Sequence, residues 1–371
     1  MRAVAVFPYS REVKLIDVEE PQITHPTEVK LRMLDVGICG TDKEICSFQY
    51  GTPPDGSDYL ILGHESLGEV VAIGPEVRDI AVGGLVATMV RRPCPHAECH
   101  ACRAGRPDFC VTGDFTERGI KGRHGFLAEY VVDDAHYMHV VPAVLRKVGV
   151  LTEPLTIAEK AFSQASHIER RMPWLADITP QSPERGELSA AILGAGAVGL
   201  LGAMALRATG IETYVYDRVP PPNAKSQLVE LIGAHYVSPA DSSTSFTDLI
   251  SHIHFIYEAV GVSQLAFQAI MALSPNSILV FTGVPSLGAH QELDTDTLMR
   301  NMVLKNQVIL GTVNADAAAF ASAIRHIGTF VERWPTAVDA VISGRYPLDA
   351  YRDLLLGQTS GIKNVLTFEP A

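Results

Sequence analysis

The sequence predicts an α/β protein of two domains: a β-rich domain whose loops carry metal-ligand side chains, and a doubly wound parallel sheet that binds a dinucleotide. Three observations lead there. The 371 residues, 47% of them hydrophobic, exceed what one core usually fills. The first third is a series of short β-rich runs broken by Gly and Pro, whereas the chain beyond residue 188 alternates strands with helices. At the head of that alternation, Gly194-Ala195-Gly196-Ala197-Val198-Gly199 stands between an apolar strand and an apolar helix.

Taken in order, the β-rich region has expected strands at 4–7, 28–36, 68–74 and 127–132, each an apolar run closed by turn residues. A helical pattern covers 151–166. The next stretch, 170–188, holds three prolines and mixed charges and reads as a connector. Strands then follow at 190–193, 213–216, 253–257 and 277–281, with helices at 197–209 and 225–232. The tail from Ala317 alternates helical and extended segments without a binding motif, and no internal repeat is present. The expected division is 1–184 with 315–371 for the β-rich domain and 185–314 for the dinucleotide-binding domain.

The net charge of −12 is spread along the chain, which argues against nucleic acid or an anionic membrane as partner. No apolar run approaches the roughly 20 residues of a spanning helix, and the apolar start at Met1 is too short for a signal peptide, so a cytoplasmic location is expected.

The GxGxxG spacing has a mechanical meaning in its strand-to-helix setting. Gly194 permits the tight turn, Gly196 lets the backbone approach a pyrophosphate, and Gly199 lets helix pack on strand. The helix start, at Ala197 and Val198, offers free N–H groups to the anion. Asp217, at the end of the next strand, is placed for a ribose diol, and its charge opposes a 2′-phosphate. NAD is therefore the favoured cofactor. Arg218, with Lys225 nearby, keeps NADP as the alternative, unless both are ordinary surface charges.

Two groups of residues read as zinc ligands. Gly37-Ile38-Cys39-Gly40-Thr41-Asp42, Gly63-His64-Glu65 and Leu151-Thr152-Glu153-Pro154 supply thiolate, imidazole and carboxylate, and three protein ligands with an open position is the catalytic arrangement. Singly, each has an ordinary explanation: Cys39 as a core thiol, His64 as a buried histidine, Glu153 as a helix-capping acid. Glycines beside Cys39 and His64 favour the tight loops that convergence needs. Cys94, Cys99, Cys102 and Cys110 have the spacing C-x4-C-x2-C-x7-C, which suits a closed structural zinc site better than disulfides in a large cytosolic chain. His96 and His100 are expected outside that set, and Cys46 is expected as a buried thiol.

With these motifs in this order, the chain resembles the zinc-dependent medium-chain dehydrogenase/reductase (alcohol dehydrogenase) family over essentially its whole length. It is most similar to the glucose dehydrogenase branch, through Val90-Arg91-Arg92-Pro93, Gly105 to Cys110, Gly113 to Ile120, Thr152 to Leu155 and Gly311 to Ala315. The resemblance implies a GroES-like catalytic domain and a Rossmann domain, with one catalytic and one structural zinc. It also implies NAD(P)-dependent oxidation of an aldose at its anomeric carbon to the lactone, enforced in a cleft between domains, in a homodimer or homotetramer. Cys39, His64 and Glu65 would surround the catalytic zinc, with Glu153 a further direct or water-mediated ligand. Thr41 would hydrogen-bond the substrate oxygen or the zinc-bound water, and Asp42 would orient a ligand. Glu117 and Asn314 would recognise sugar hydroxyls, with Asn314 also close to the cofactor. Two departures stand out: the first cysteine gap exceeds the common C-x2-C, and Gly83-Gly84 stands where the family usually has Gly-Asp. The rivals are a polyol, secondary-alcohol or threonine dehydrogenase, a zinc-free quinone or enone reductase, and a non-catalytic nucleotide sensor.

Overall fold

The computed structural model describes residues 1–173, 188–239, 244–285 and 292–368. It divides into two compact units: Met1–Thr156 with Asn314–Gly328 and Ile342–Ala371, and Ile157–Val313 with Thr329–Val341. Most of the connector expected over 170–188 lies outside the described residues. The helix before it runs Thr152–Glu169. Among the described residues no helix is long and apolar enough to cross a membrane.

The first unit is built on a seven-stranded sheet. Its central strand, Glu28–Gly37, is buried along almost its whole length because it is covered on both faces, which is why it reads as an apolar run. It pairs antiparallel with Glu65–Ile73 on one side and with Lys363–Thr367 on the other. Tyr130–Asp134 also pairs with it. The core on this sheet includes Leu31, Met33, Val36, Leu62, Phe126 and Leu366. Side chains of this size stabilise the fold by about 1.5–3 kcal/mol each when fully buried. The register places the end of Glu28–Gly37, the start of Glu65–Ile73 and the start of Lys363–Thr367 at one end of the sheet, since Gly37 faces both Glu65 and Val365. A separate three-stranded sheet joins Arg91–Arg92, Thr116–Arg118 and Gly122–Arg123.

The second unit holds a six-stranded, wholly parallel sheet in the spatial order His235–Val237, Glu212–Tyr216, Ser189–Leu193, Ile253–Glu258, Leu273–Phe281, Val308–Gly311. The first strand of the unit lies centrally, with the chain running outward on one side and then on the other. This is the doubly wound dinucleotide-binding topology. From Ala190 to Leu193 the strand Ser189–Leu193 is apolar and buried, because a parallel sheet is covered on both faces. Helix Ala197–Ala208 packs close to the sheet on its small residues; a Cβ at Gly202 would press on the Tyr257 ring at 3.2 Å.

Candidate functional site

In the first unit the ligand atoms of Cys39, His64 and Glu65 all lie within 4.8 Å of one another. Strand register brings them together: with Gly37 opposite Glu65, the residues just past one strand meet those just before the other. Two glycines make room. A Cβ at Gly37 would overlap Glu65 Oε2, and Gly63, at φ +87°, is packed against Leu127 and Val36. Cys39 caps helix Gly40–Cys46, and Asp42 in its first turn accepts the Cys39 N–H at 2.9 Å. Thr41 is half-buried in the same turn.

Asp42 is fully buried, and its Oδ1 lies 3.4 Å from His64 Nδ1, although neither atom has a hydrogen-bond partner. Burial pushes the Asp42 carboxyl up, but the nearby charge of His64, with help from the Cys39 N–H and Lys363, holds it below its ordinary value. Burial likewise works against a charged His64, yet Asp42 and Cys39 raise its pKa well above the ordinary range. Thiolate, imidazole and carboxylate set this close suit zinc with one position left open. A neutral imidazole ligating through Nε2 would give the orphaned Asp42 oxygen its donor, as metal-bound histidines usually do.

Glu65, 1% exposed, accepts two hydrogen bonds of 2.6 Å from Lys363 Nζ, which also donates to the Ile38 carbonyl at 3.1 Å. Glu153 is buried beside the three-residue set and is not a member of it. Burial raises its carboxyl to about 7 against the pull of His64, with Glu65 adding to the rise.

Cys94, Cys99, Cys102 and Cys110 form the second set, without a histidine. His96 turns away to Asp114 at 2.8 Å. Within the lobe, the Thr112 hydroxyl and the Thr112 and Gly113 N–H groups outweigh desolvation and bring the Cys110 thiol to about 6. N–H groups of Cys102 and Val111 lower Cys99. Burial pushes the Cys102 thiol up to about 12. Four thiols this close, two of them supported as thiolates by backbone N–H groups, fit a closed tetrahedral zinc site. Cys46 is a separate buried thiol pushed up to about 12 by burial.

Glu117 is 4% exposed and accepts hydrogen bonds through Oε1 from Arg91 Nε at 3.0 Å and Asn314 Nδ2 at 2.9 Å. Asn314 has φ +61° and accepts the Ala315 N–H at 2.8 Å. The structure thus joins the two residues for which the family resemblance implies contact with sugar hydroxyls. The 610 Å³ cavity of this unit, lined by Arg92, Arg123, Asp133 and Tyr137 among others, contains neither ligand set.

In the second unit Gly194 has φ +101°, and a Cβ on Gly199 would overlap the Gly194 carbonyl oxygen. A Cβ on Gly196 would meet nothing within 4 Å, so the loop is open where a ligand would approach. Helix Ala197–Ala208 starts at this point, and its first N–H groups have no intrahelical acceptor. Asp217 Oδ2 accepts the Lys225 ammonium at 2.7 Å and the Ala195 N–H at 3.3 Å, while Oδ1 accepts the Val219 N–H at 3.0 Å. Arg218 is exposed. A 260 Å³ cavity opens beyond the carboxyl ends of Ile253–Glu258 and Leu273–Phe281, lined by Gly261, Val262, Phe267 and Gly283 among others. Glu258, absent from the sequence reading, ties these loops by accepting the N–H groups of Val260, Gly261 and Gly283.

The family profile described as "Glucose dehydrogenase C-terminus" matches residues 146–368, and that described as "Alcohol dehydrogenase GroES-like domain" matches residues 25–143. Glucose 1-dehydrogenase of Methanocella arvoryzae is 37% identical over 365 residues, 98% of each chain. Glucose 1-dehydrogenase 1 of Caldivirga maquilingensis is 38% identical over 373 residues, covering 100% of this chain and 99% of the other. The glucose dehydrogenase of Haloferax mediterranei, solved in complex with NADP, Zn and gluconolactone, superposes with a TM-score of 0.87 at 30% identity, covering all of both chains.

Proposed function

The chain belongs to the zinc-dependent medium-chain dehydrogenase/reductase family, in its glucose dehydrogenase branch, and on that footing we propose that it oxidises glucose or a closely similar aldose at C1. The reaction removes hydride from C1 and the proton from the C1 hydroxyl, reduces NAD(P), and leaves the aldonolactone. The observation that carries this reading is the Cys39–His64–Glu65 set in a chain aligned end to end with glucose dehydrogenases.

Bound zinc would supply Lewis acidity toward the C1 oxygen, and a bound nicotinamide would supply the hydride acceptor. Cys39 and His64 hold the metal, with Glu65 or Glu153 as the carboxylate, and Asp42 fixes the His64 ring. Thr41 holds the C1 hydroxyl through its side-chain oxygen. Glu117 and Asn314 bind further hydroxyls, which a simple alcohol would leave unpaired. The cysteine lobe holds a structural zinc. In the second unit Gly194, Gly196 and Gly199, with the N–H groups of Ala197 and Val198, cradle the pyrophosphate. Asp217 accepts from the ribose diol, which favours NAD, and Lys225 and Arg218 give a 2′-phosphate a cation. The active form is a homodimer or homotetramer. Five of the six cysteines fall in the two metal sets, which suits a reducing cytoplasm.

Initial rates with NAD and NADP on aldoses, polyols, simple alcohols and threonine, with and without a zinc chelator, test the reading. Chelator-sensitive rates confined to aldoses are expected. Activity only on polyols, simple alcohols or threonine would keep the zinc chemistry and remove the aldose assignment with the roles given to Glu117 and Asn314.

A further inference from the structure

Arg91 and Glu117 stand directly opposite each other on the antiparallel pair Arg91–Arg92 and Thr116–Arg118, and they are 6% and 4% exposed. Both side-chain donors to Glu117, Arg91 Nε and Asn314 Nδ2, converge on one oxygen, Oε1. The second oxygen, Oε2, has no hydrogen-bond partner among the described residues and is not among their buried unpartnered atoms, so it reaches solvent. A carboxylate is thereby clamped by one oxygen and presents the other.

The clamp is itself rigid. The Arg91 guanidinium lies over the Phe115 ring at 3.7 Å from its centroid, and Nη1 faces the Asp108 carbonyl at 3.5 Å. Lys121 covers the same ring at 4.3 Å. A planar guanidinium lies flat on a ring while its in-plane N–H groups donate in fixed directions, a geometry that a lysine ammonium does not reproduce, so lysine is a poor substitute. A glutamate released from such a hold would sample several rotamers and lose its fixed aim.

Resting on the aldose reading, we propose that Arg91 is a positioning residue for sugar specificity: it fixes Glu117 so that Oε2 accepts one ring hydroxyl of the aldose. Arg91 does not touch the sugar in this account. Its effect passes through Glu117, and it falls on the sugar carrying that hydroxyl and not on the analogue lacking it.

The test uses the zinc-loaded full-length enzyme and compares kcat/KM for glucose with those for its 2-deoxy, 3-deoxy and 4-deoxy analogues. The proteins are wild type, Arg91→Met, Arg91→Lys, Glu117→Gln and the Arg91→Met/Glu117→Gln double variant. Arg91→Met should lower glucose kcat/KM by about 10- to 100-fold while the analogue already impaired in wild type changes by less than about 3-fold. Its sugar discrimination should then match that of Glu117→Gln. The double variant should be no worse than either single one, and Arg91→Lys should fall between wild type and Arg91→Met. A uniform loss on all sugars, or additive losses in the double variant, would overturn the proposal and leave Arg91 a purely structural partner. If Arg91→Met does not fold, wild-type discrimination in Arg91→Lys overturns it equally. Wild-type discrimination in Glu117→Gln would sink this proposal while the aldose reading stands, whereas a wild-type enzyme inactive on every aldose would sink both.

Discussion

Replacing Lys225 by Met should turn the enzyme toward NAD. In the structure the Lys225 ammonium is 2.7 Å from Asp217 Oδ2, and the side chains are 29% and 10% exposed. A carboxylate roughly 5 Å from a phosphate dianion, in an effective dielectric of about 40, repels it by about 3 kcal/mol, and an ammonium at similar range returns about the same amount. On the proposed placement the pair is nearly neutral at the 2′ position, so NADP is tolerated while the contact of Asp217 with the ribose diol still favours NAD. Lys225→Met leaves the carboxylate alone. Allowing for screening at a partly exposed lysine, the NADP-to-NAD ratio of kcat/KM should fall by about 10- to 100-fold. The assay is kcat/KM for each cofactor at saturating glucose, at low and at high salt. The shift should arise mainly from NADP and shrink as salt is added, and Asp217→Asn should move the ratio the other way. An unchanged ratio in Lys225→Met, or a move toward NADP, would refute the assignment of this pair to the 2′ position.

Gly199→Ala should unseat the strand-to-helix turn, because the new methyl overlaps the Gly194 carbonyl, and should lower both thermal stability and cofactor affinity. Gly196→Ala, whose methyl meets nothing within 4 Å, should keep wild-type Tm and weaken only NADH binding measured by fluorescence; a matching loss of Tm would contradict the geometry. Cys99→Ser should remove one of two zinc equivalents and lower Tm by at least about 5 °C, read by metal analysis and calorimetry. An unchanged zinc content would exclude the lobe as a metal site. His139 is stacked on Phe320, and its Nε2 is buried without a partner; burial lowers its pKa from 6.5 to about 4. Below pH 6.5 the unfolded chain takes up this proton and the folded one does not, so stability falls between pH 6.5 and 4 by about 2 kcal/mol. In denaturant titrations His139→Gln should lose that part of the pH dependence, and an identical pH profile in the variant would contradict the assignment.

Local patterns made much of the molecule legible. The glycine turn, its flanking strand and helix, and Asp217 all lie within one stretch of chain, so their spacing expresses their geometry. The four cysteines likewise close a loop of their own. Strands with weak alternation were not expected from sequence: Glu12–Asp17 buries only Val13 fully, and Met138–Val141 carries a histidine and an exposed valine. The expected strand at 127–132 runs Tyr130–Asp134, because residues 125–127 donate their N–H groups to the segment 61–63 instead. Long-range partners left no signal. Lys363 reaches Glu65 across 298 residues, and Asn314 reaches Glu117 across 197, through strand order that no local periodicity encodes. Arg91 was visible only as part of a family motif, and its stacking on Phe115 depends on the strand pairing that brings the far end of the cysteine lobe back beside it.

The central claim is that hydride leaves C1 of an aldose at the site built by Cys39, His64 and Glu65. The most direct test supplies glucose deuterated at C1 and follows the label by mass spectrometry, in the zinc-loaded enzyme and in Cys39→Ser. The account predicts one deuterium in the reduced nicotinamide, none at C1 of the lactone, and a rate that collapses in the variant. Deuterium retained at C1, or transfer undiminished in Cys39→Ser, would contradict it.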